Sequence, residues 1–137
     1  MKKNVVFALL GIFAVLGSIG YVKAHGQSSL ISFTLPLYGG KLYNSNVGVM
    51  KDSNDDYSTF TTVYTKTSLK PQGILATNEH DPRSEWTTLR ESSVSYAKND
   101  AKTVKGKVYY SGAKSHNFEP TDQTLVKYYF SPDDFRS

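Results

Sequence analysis

The sequence predicts an all-β protein: an antiparallel β-sandwich or small barrel of about seven or eight strands, preceded by an N-terminal signal helix. Three observations carry that expectation. Beyond His25 the apolar residues recur with a period of two, where a helix would need 3.6. Clusters of Gly, Pro, Asn and Asp break the chain at intervals of roughly 8 to 15 residues. The composition is rich in residues that suit a pleated surface, with 10 Tyr and 7 Phe among 137 residues.

The elements follow in order. In Leu30 to Leu37, the residues Ile31, Phe33, Leu35 and Leu37 share one face, while Ser32, Thr34 and Pro36 share the other. Pro36 cannot donate to a ladder, so this strand lies at an edge or ends near there. Tyr38-Gly39-Gly40-Lys41 reads as a hairpin turn. Lys41 to Met50 alternates again and groups Tyr43, Val47 and Val49. Asp52 to Asp56 is a polar turn, and Tyr57 to Lys66 is a Thr-rich strand. Lys70-Pro71-Gln72-Gly73 breaks the chain before a short strand over Ile74 to Thr77.

Asn78 to Ser84 reads as a loop. Trp86 to Leu89 and Ser93 to Ala97 are two short strands joined through Arg90 and Glu91, with a short helix over Ser84 to Arg90 as the competing reading. Lys107 to Ser111 and Thr124 to Phe130 complete the set, and Gly112 to Asp122 is the longest irregular stretch between them.

The first residues set the domain organisation. Lys2 and Lys3 precede an apolar run from Val5 to Ile19, and Val22-Lys23-Ala24 fits a cleavage site ahead of His25. The run is about 15 residues, short of the roughly 20 that span a bilayer as a helix. Residues 1–24 are therefore expected to be a signal peptide and 25–137 a single β domain, secreted or held at the cell surface. An uncleaved segment acting as a membrane anchor is the alternative.

Charge narrows the partners. The chain carries 16 Lys and Arg against 12 Asp and Glu. Three of the cations, Lys2, Lys3 and Lys23, fall in the leader, which leaves 13 basic against 12 acidic side chains in the domain. That near-neutral balance excludes nucleic acid as the expected partner, because phosphate-backbone binding needs several clustered cations. The one basic cluster, Lys98, Lys102, Lys105, Lys107 and Lys114, reads as a solvated loop and strand edge. Contact with an anionic wall polymer or lipid headgroup is the functional alternative. There is no cysteine, so the fold must stand without disulfides; with the Met-Lys-Lys-Asn start this suits a Gram-positive exporter.

Candidate sites are few. Tyr109-Tyr110 and Tyr128-Tyr129 are adjacent pairs inside strands, so one of each pair points in and the other out. They read as cross-strand packing or as an aromatic strip that stacks on sugar rings or a protein partner. After cleavage His25 would carry a free amino group beside its imidazole, a copper-chelating arrangement that His80 and His116 could complete. This start resembles that of copper-dependent polysaccharide monooxygenases and small periplasmic copper carriers, both exported β-sandwiches. The resemblance covers only His25 and Gly26.

Asp52-Ser53-Asn54-Asp55-Asp56 spaces its polar side chains like a calcium loop. It has Tyr57 where the glycine belongs and Val63 where a bidentate Glu belongs, so a self-capped turn is the better account. Glu79, Asp81, Glu85 and Glu91 could supply a glycosidase pair but alternate with Arg83 and Arg90, as solvated ion pairs do. No catalytic residue and no cofactor is expected.

Ser32-Phe33-Thr34-Leu35-Pro36, the run Gly106-Lys107-Val108-Tyr109-Tyr110 and the ending Tyr129-Phe130-Ser131-Pro132-Asp133 together resemble short secreted proteins of Firmicutes, some encoded beside bacteriocin-type export systems. The resemblance implies no catalytic residues. The expected function is binding, without catalysis, at the bacterial surface or in the medium. The expected partner is a cell-wall polymer, a glycan or another protein, with membrane contact only through the signal segment. A bacteriocin-like effector or its immunity partner is the second expectation, and an N-terminal-His copper protein the third.

Overall fold

The computed structural model describes residues 26–65, 71–116 and 124–136. Residues 1–24, expected to be a signal peptide, and His25 lie outside the described residues. Among these run eight strands: β1 (Ile31–Leu35), β2 (Lys41–Met50), β3 (Tyr57–Thr65), β4 (Gln72–Ala76), β5 (Thr87–Thr88), β6 (Ser93–Lys98), β7 (Val108–Lys114) and β8 (Thr124–Ser131). They form two antiparallel sheets, ordered β1-β8-β3-β6 and β2-β7-β4-β5. Strand β1 pairs with β8, β2 with β7, β3 with β6 and β4 with β5. The pattern is that of one long hairpin rolled over on itself, and the β3–β8 and β4–β7 pairs complete the two sheets. That arrangement is a jelly roll, a double-sheet antiparallel sandwich. No helix among the described residues is long and apolar enough to cross a membrane.

The inner faces supply the core. Ile31, Leu35, Phe60, Val126, Tyr128 and Phe130 of the first sheet meet Val49, Leu75, Tyr109 and Ala113 of the second. The ring of Phe60 lies 5.8 Å from that of Tyr128 and 6.3 Å from that of Phe130. Fully burying a large apolar side chain is worth about 1.5–3 kcal/mol, which is how the chain dispenses with disulfides. A polar link crosses the interior of the sandwich: the Tyr128 hydroxyl bonds Ser111 Oγ at 2.8 Å. Burial raises the Tyr128 phenol far above its usual range, so it stays protonated.

A polar knot closes one end. Lys51, just past β2 and only 1 % exposed, donates to Asp55 Oδ1 at 2.7 Å, to the Pro132 carbonyl at 2.9 Å and to Asp133 Oδ1 at 3.4 Å. The Asp133 carboxylate, 0 % exposed, also accepts the Asp52 and Ser53 amides and the Ser53 hydroxyl. The Thr59 hydroxyl donates to the Asp133 carbonyl at 2.8 Å and accepts from the Phe135 amide at 3.0 Å. The segment after β8 is thereby fastened to the β2–β3 turn. The turn that the sequence shows as self-capped takes its cap from a residue about 80 positions away.

Burial acts to raise the Asp55 carboxyl, but hydrogen bonds from Lys51, Ser53 and the Asp134 backbone outweigh it, and the net pKa is lowered. Farther along, Arg136 grips Asp134 through two nitrogens at 2.9 Å and lies 3.8 Å over the Tyr96 ring. The Arg136 hydrogen bond holds the Asp134 carboxyl below its usual range despite partial burial.

Several sequence expectations are corrected. Tyr38 to Lys41 is a turn, with Tyr38 and Gly39 at φ 56° and 78°, but it is no hairpin. It carries the chain from an edge of one sheet to the edge of the other, because β1 and β2 have different partners. Strands β5 and β6 likewise fall in different sheets; the short strand expected over Trp86 to Leu89 is present as Thr87–Thr88, and the competing helix is not formed. Strand β7 runs to Lys114, three residues into the stretch expected to be irregular; residues 117–122 of that stretch lie outside the described residues.

The grouping of Tyr43 with Val49 fails for a reason of register. Asn44 to Val49 takes five steps along β2 while Ser111 to Tyr109 takes two along β7. The extra residues form a bulge, so Val47 and Val49 pack on the core as grouped, while Tyr43 stands on the outer face.

Candidate functional site

The outer face of the β2-β7-β4-β5 sheet gathers side chains that the core does not need. On β7 the outward positions are Val108, Tyr110, Gly112 and Lys114, since Tyr109, Ser111 and Ala113 point inward. Tyr43 pairs with Gly112, and its ring occupies the place a side chain would take there: a Cβ on Gly112 would sit 2.5 Å from Tyr43 Cδ1. The other face of Tyr43 carries His80, stacked at 4.5 Å and 10°. At one end Lys114 lies 4.5 Å over the Trp86 ring. Ile74, opposite Gly112 and outward by register, is only 2 % exposed. The aromatic cover therefore makes a second, shallow apolar layer on the outside of the sheet.

Two local devices build this surface. The first is the β2 bulge. Asn44 Oδ1 accepts the Asn46 and Val47 amides at 2.9 and 2.8 Å, holding the bulge closed. Ser45 then meets His80 Nε2 at 3.1 Å, and Gly48 returns close to Tyr110; a Cβ on Gly48 would fall 2.8 Å from Tyr110 Cε2. The second device is the 77–81 turn. The Thr77 amide donates to the Asp81 carbonyl at 2.9 Å, and Thr77 Oγ1 accepts the Glu79 and Asp81 amides. His80 sits there at φ 71°, a left-handed conformation that costs L-residues about 1–2 kcal/mol. That backbone turn accompanies the stacking of the imidazole on Tyr43.

Beyond Val108 the face opens into a cleft of about 570 Å³, lined by the 77–79 turn, Arg83, Lys102, Val104 and the start of β7. Its far wall, the 99–107 loop, is well braced. Asp100 Oδ1 accepts the Lys102 amide at 2.9 Å and the Thr103 hydroxyl at 3.0 Å. The Tyr109 hydroxyl, at the end of a buried ring, accepts the Val104 amide at 2.8 Å. The Lys51 amide donates to the Lys107 carbonyl, and the Gly106 amide to the Lys51 carbonyl, each at 2.9 Å. Arg83, Lys102 and Lys107 contribute cations to the cleft and Glu79 a carboxylate. Among the described residues none of the three cations is in an ion pair.

The sequence-derived candidates distribute as follows. Tyr109 and Tyr128 are core residues, whereas Tyr110 and Tyr129 are half-buried and outward. They belong to different sheets, so the four do not share one surface. Only Tyr110 stands on the aromatic face, where it joins Tyr43, His80 and Trp86. His80 and His116 lie towards opposite ends of the β2-β7-β4-β5 sheet, beyond Ala76 and beyond Lys114. No group of three His, Cys, Asp or Glu able to hold a metal occurs among the described residues. Glu79, Asp81, Glu85 and Glu91 are all exposed; Glu79 alone lines the cleft.

In the basic cluster, Lys102 and Lys107 converge on the cleft, while Lys98 lies over the Tyr57 ring and Lys114 over Trp86. Trp86 and Tyr43 were open to prediction as aromatic residues in strand-like segments. Their convergence was not, because it depends on the bulge and on cross-strand register. The sequence matches no known family model, and comparison with curated proteins finds no significant match either.

Proposed function

We propose that this protein is exported and acts by binding, with the outer face of the β2-β7-β4-β5 sheet as its recognition surface for a saccharide-bearing ligand of the bacterial surface or medium. The observation that carries the reading is the row Trp86, Tyr43 with His80, and Tyr110 on a single flat sheet face. Aromatic rings on a rigid sheet offer stacking area with few torsions to freeze on binding. Lys114, Ser45 and Asn78 stand among them as hydrogen-bonding groups. Val108, on the same face as Tyr110, also lines the cleft, so an extended ligand can reach both. Export is supported by the leader pattern Lys2 to Ala24.

The test is retention of the purified chain on peptidoglycan, wall polymers and a panel of neutral and charged glycans. Tyr110→Ala should weaken retention about tenfold, the worth of one stacked ring at roughly 1.4 kcal/mol. Tyr129→Ala, on the opposite sheet, should leave it within about twofold. Equal retention of both variants, or failure of every polymer to bind, overturns the reading.

A further inference from the structure

We propose that the cleft between the 77–81 turn and the 99–107 loop is a phosphate-binding subsite, which makes the ligand of the outer face a phosphorylated saccharide. The saccharide half rests on the reading just given; the phosphate half rests on the cleft alone.

Charge comes first. Arg83, Lys102 and Lys107 line one cavity with Glu79 as the opposing group. Three cations against one carboxylate leave two positive charges, which matches the −1.5 to −2 of a phosphate monoester better than the −1 of a carboxylate. Exposed Lys41, Lys105 and Arg90 are also charged, but none of them lines this cleft. Four other cations are neutralised or covered: Lys51 and Arg136 are ion-paired, and Lys98 and Lys114 lie over aromatic rings. In the cleft three cations converge on one carboxylate, and none of them is in an ion pair among the described residues. An entering phosphate relieves their mutual repulsion as well as gaining its own contacts.

Preorganisation is the second argument. The two lysines ride on a loop that Asp100, the Tyr109 hydroxyl and the Lys51 backbone hold in place. Arg83 is fixed by its backbone, which donates to Leu75 at 2.8 Å and accepts from Asp100 at 2.9 Å. Its guanidinium donates to the Pro82 carbonyl at 2.8 Å through one nitrogen, which leaves further N–H groups for a ligand. Little backbone ordering remains to be done on binding.

Spacing is the third. Val108 borders the cleft and Tyr110 is two residues on along the same face, about 7 Å away at the rise of a strand. That is the span of one sugar ring and its phosphate ester. Val104 and Val108 add apolar lining against which the ring carbons can rest.

Amide NMR titration of the purified chain with inorganic phosphate, at constant ionic strength with chloride as the control, reads the subsite directly. Phosphate should shift the amides of residues 77–79 and 102–108 and saturate at about millimolar concentration. The Lys102→Gln, Lys107→Gln double variant should weaken phosphate binding about tenfold or more, while Lys105→Gln stays within about twofold. Shifts that chloride reproduces, or that survive the double variant, overturn the subsite.

Glycan retention separates the two readings. Loss of phosphorylated but not neutral glycans in the double variant supports both. Phosphate binding with no glycan preference, and no effect of Tyr110→Ala, keeps the subsite and sinks the saccharide face. Tyr110-dependent retention of neutral glycans without phosphate binding does the reverse.

Discussion

Two regions of this molecule place lysines next to the same loop and use them in opposite ways. In the knot, Lys51 is buried and its ammonium meets two carboxylates and a carbonyl, so its charge is answered within the protein. In the cleft, Lys102 and Lys107 are exposed, face a third cation and have no carboxylate within ion-pair distance among the described residues. The backbone of Lys51 joins the two, since it hydrogen-bonds Lys107 and Gly106. Saturated charge fastens a chain segment. Unsaturated charge on a braced loop is available to something outside. Burial and partner count, not residue type, distinguish a structural lysine from a binding one.

The comparison is broken most directly by removing one cation from each region. Lys51→Met keeps the packed stem but leaves Asp133 buried beside Asp55 without its counterion. A loss of about 3–5 kcal/mol in urea unfolding is expected. A loss below about 1 kcal/mol would mean that the knot is not what holds the C-terminal segment.

The opposite case is an interior polar group with no partner. Thr62 Oγ1 is buried without a hydrogen bond. Thr62→Val should therefore cost nothing and gain up to about 1 kcal/mol, because no hydrogen bond is lost and a desolvated hydroxyl disappears. Destabilisation of that size would show that the hydroxyl has a partner in solution.

In the cleft, Lys102→Gln with Lys107→Gln should change stability by only a few tenths of a kcal/mol, and in the stabilising direction, since like charges are separated. The gain should fade in high salt. A clear loss would move these lysines from the binding class to the structural one.

The smallest effect is the pH dependence of the knot. Asp55 has a lowered pKa in the folded chain. Its contribution is therefore present above the unfolded carboxylate value near 4 and is lost as pH falls through the folded value. The stability gap between the native chain and Asp55→Asn should be full at pH 7 and close progressively below about pH 4. A gap that stays constant through acid would separate the hydrogen bonds of Asp55 from its charge.

Much of the fold was legible along the chain. Eight strand segments stood out from alternation and turn residues, because which side a strand residue faces is set by its immediate neighbours. Pro36 marked β1 as an edge strand or one ending near there, and both hold. The inward member of each Tyr pair could not be chosen from alternation alone, yet the rule that one of each pair is buried held for both. The site was far less legible. Tyr43 follows an alternating pattern that places it with Val49, and only the irregular β2–β7 register sends it outward. Lys51 carries no sign of burial in a charged stretch, and its partner Asp133 is 82 positions away.

The sequence by itself determined an all-strand, disulfide-free fold and the position of nearly every strand. These are local properties, written in spacings of two to a dozen residues. Only the tertiary structure decided that the turn at Tyr38 to Lys41 changes sheets, that Lys51 is interior, and that three cations share a cleft beside a tiled aromatic face. Each of those depends on which distant strands become neighbours. That choice is made by fitting two complete sheet faces together over a common core, and no stretch of alternating residues contains it.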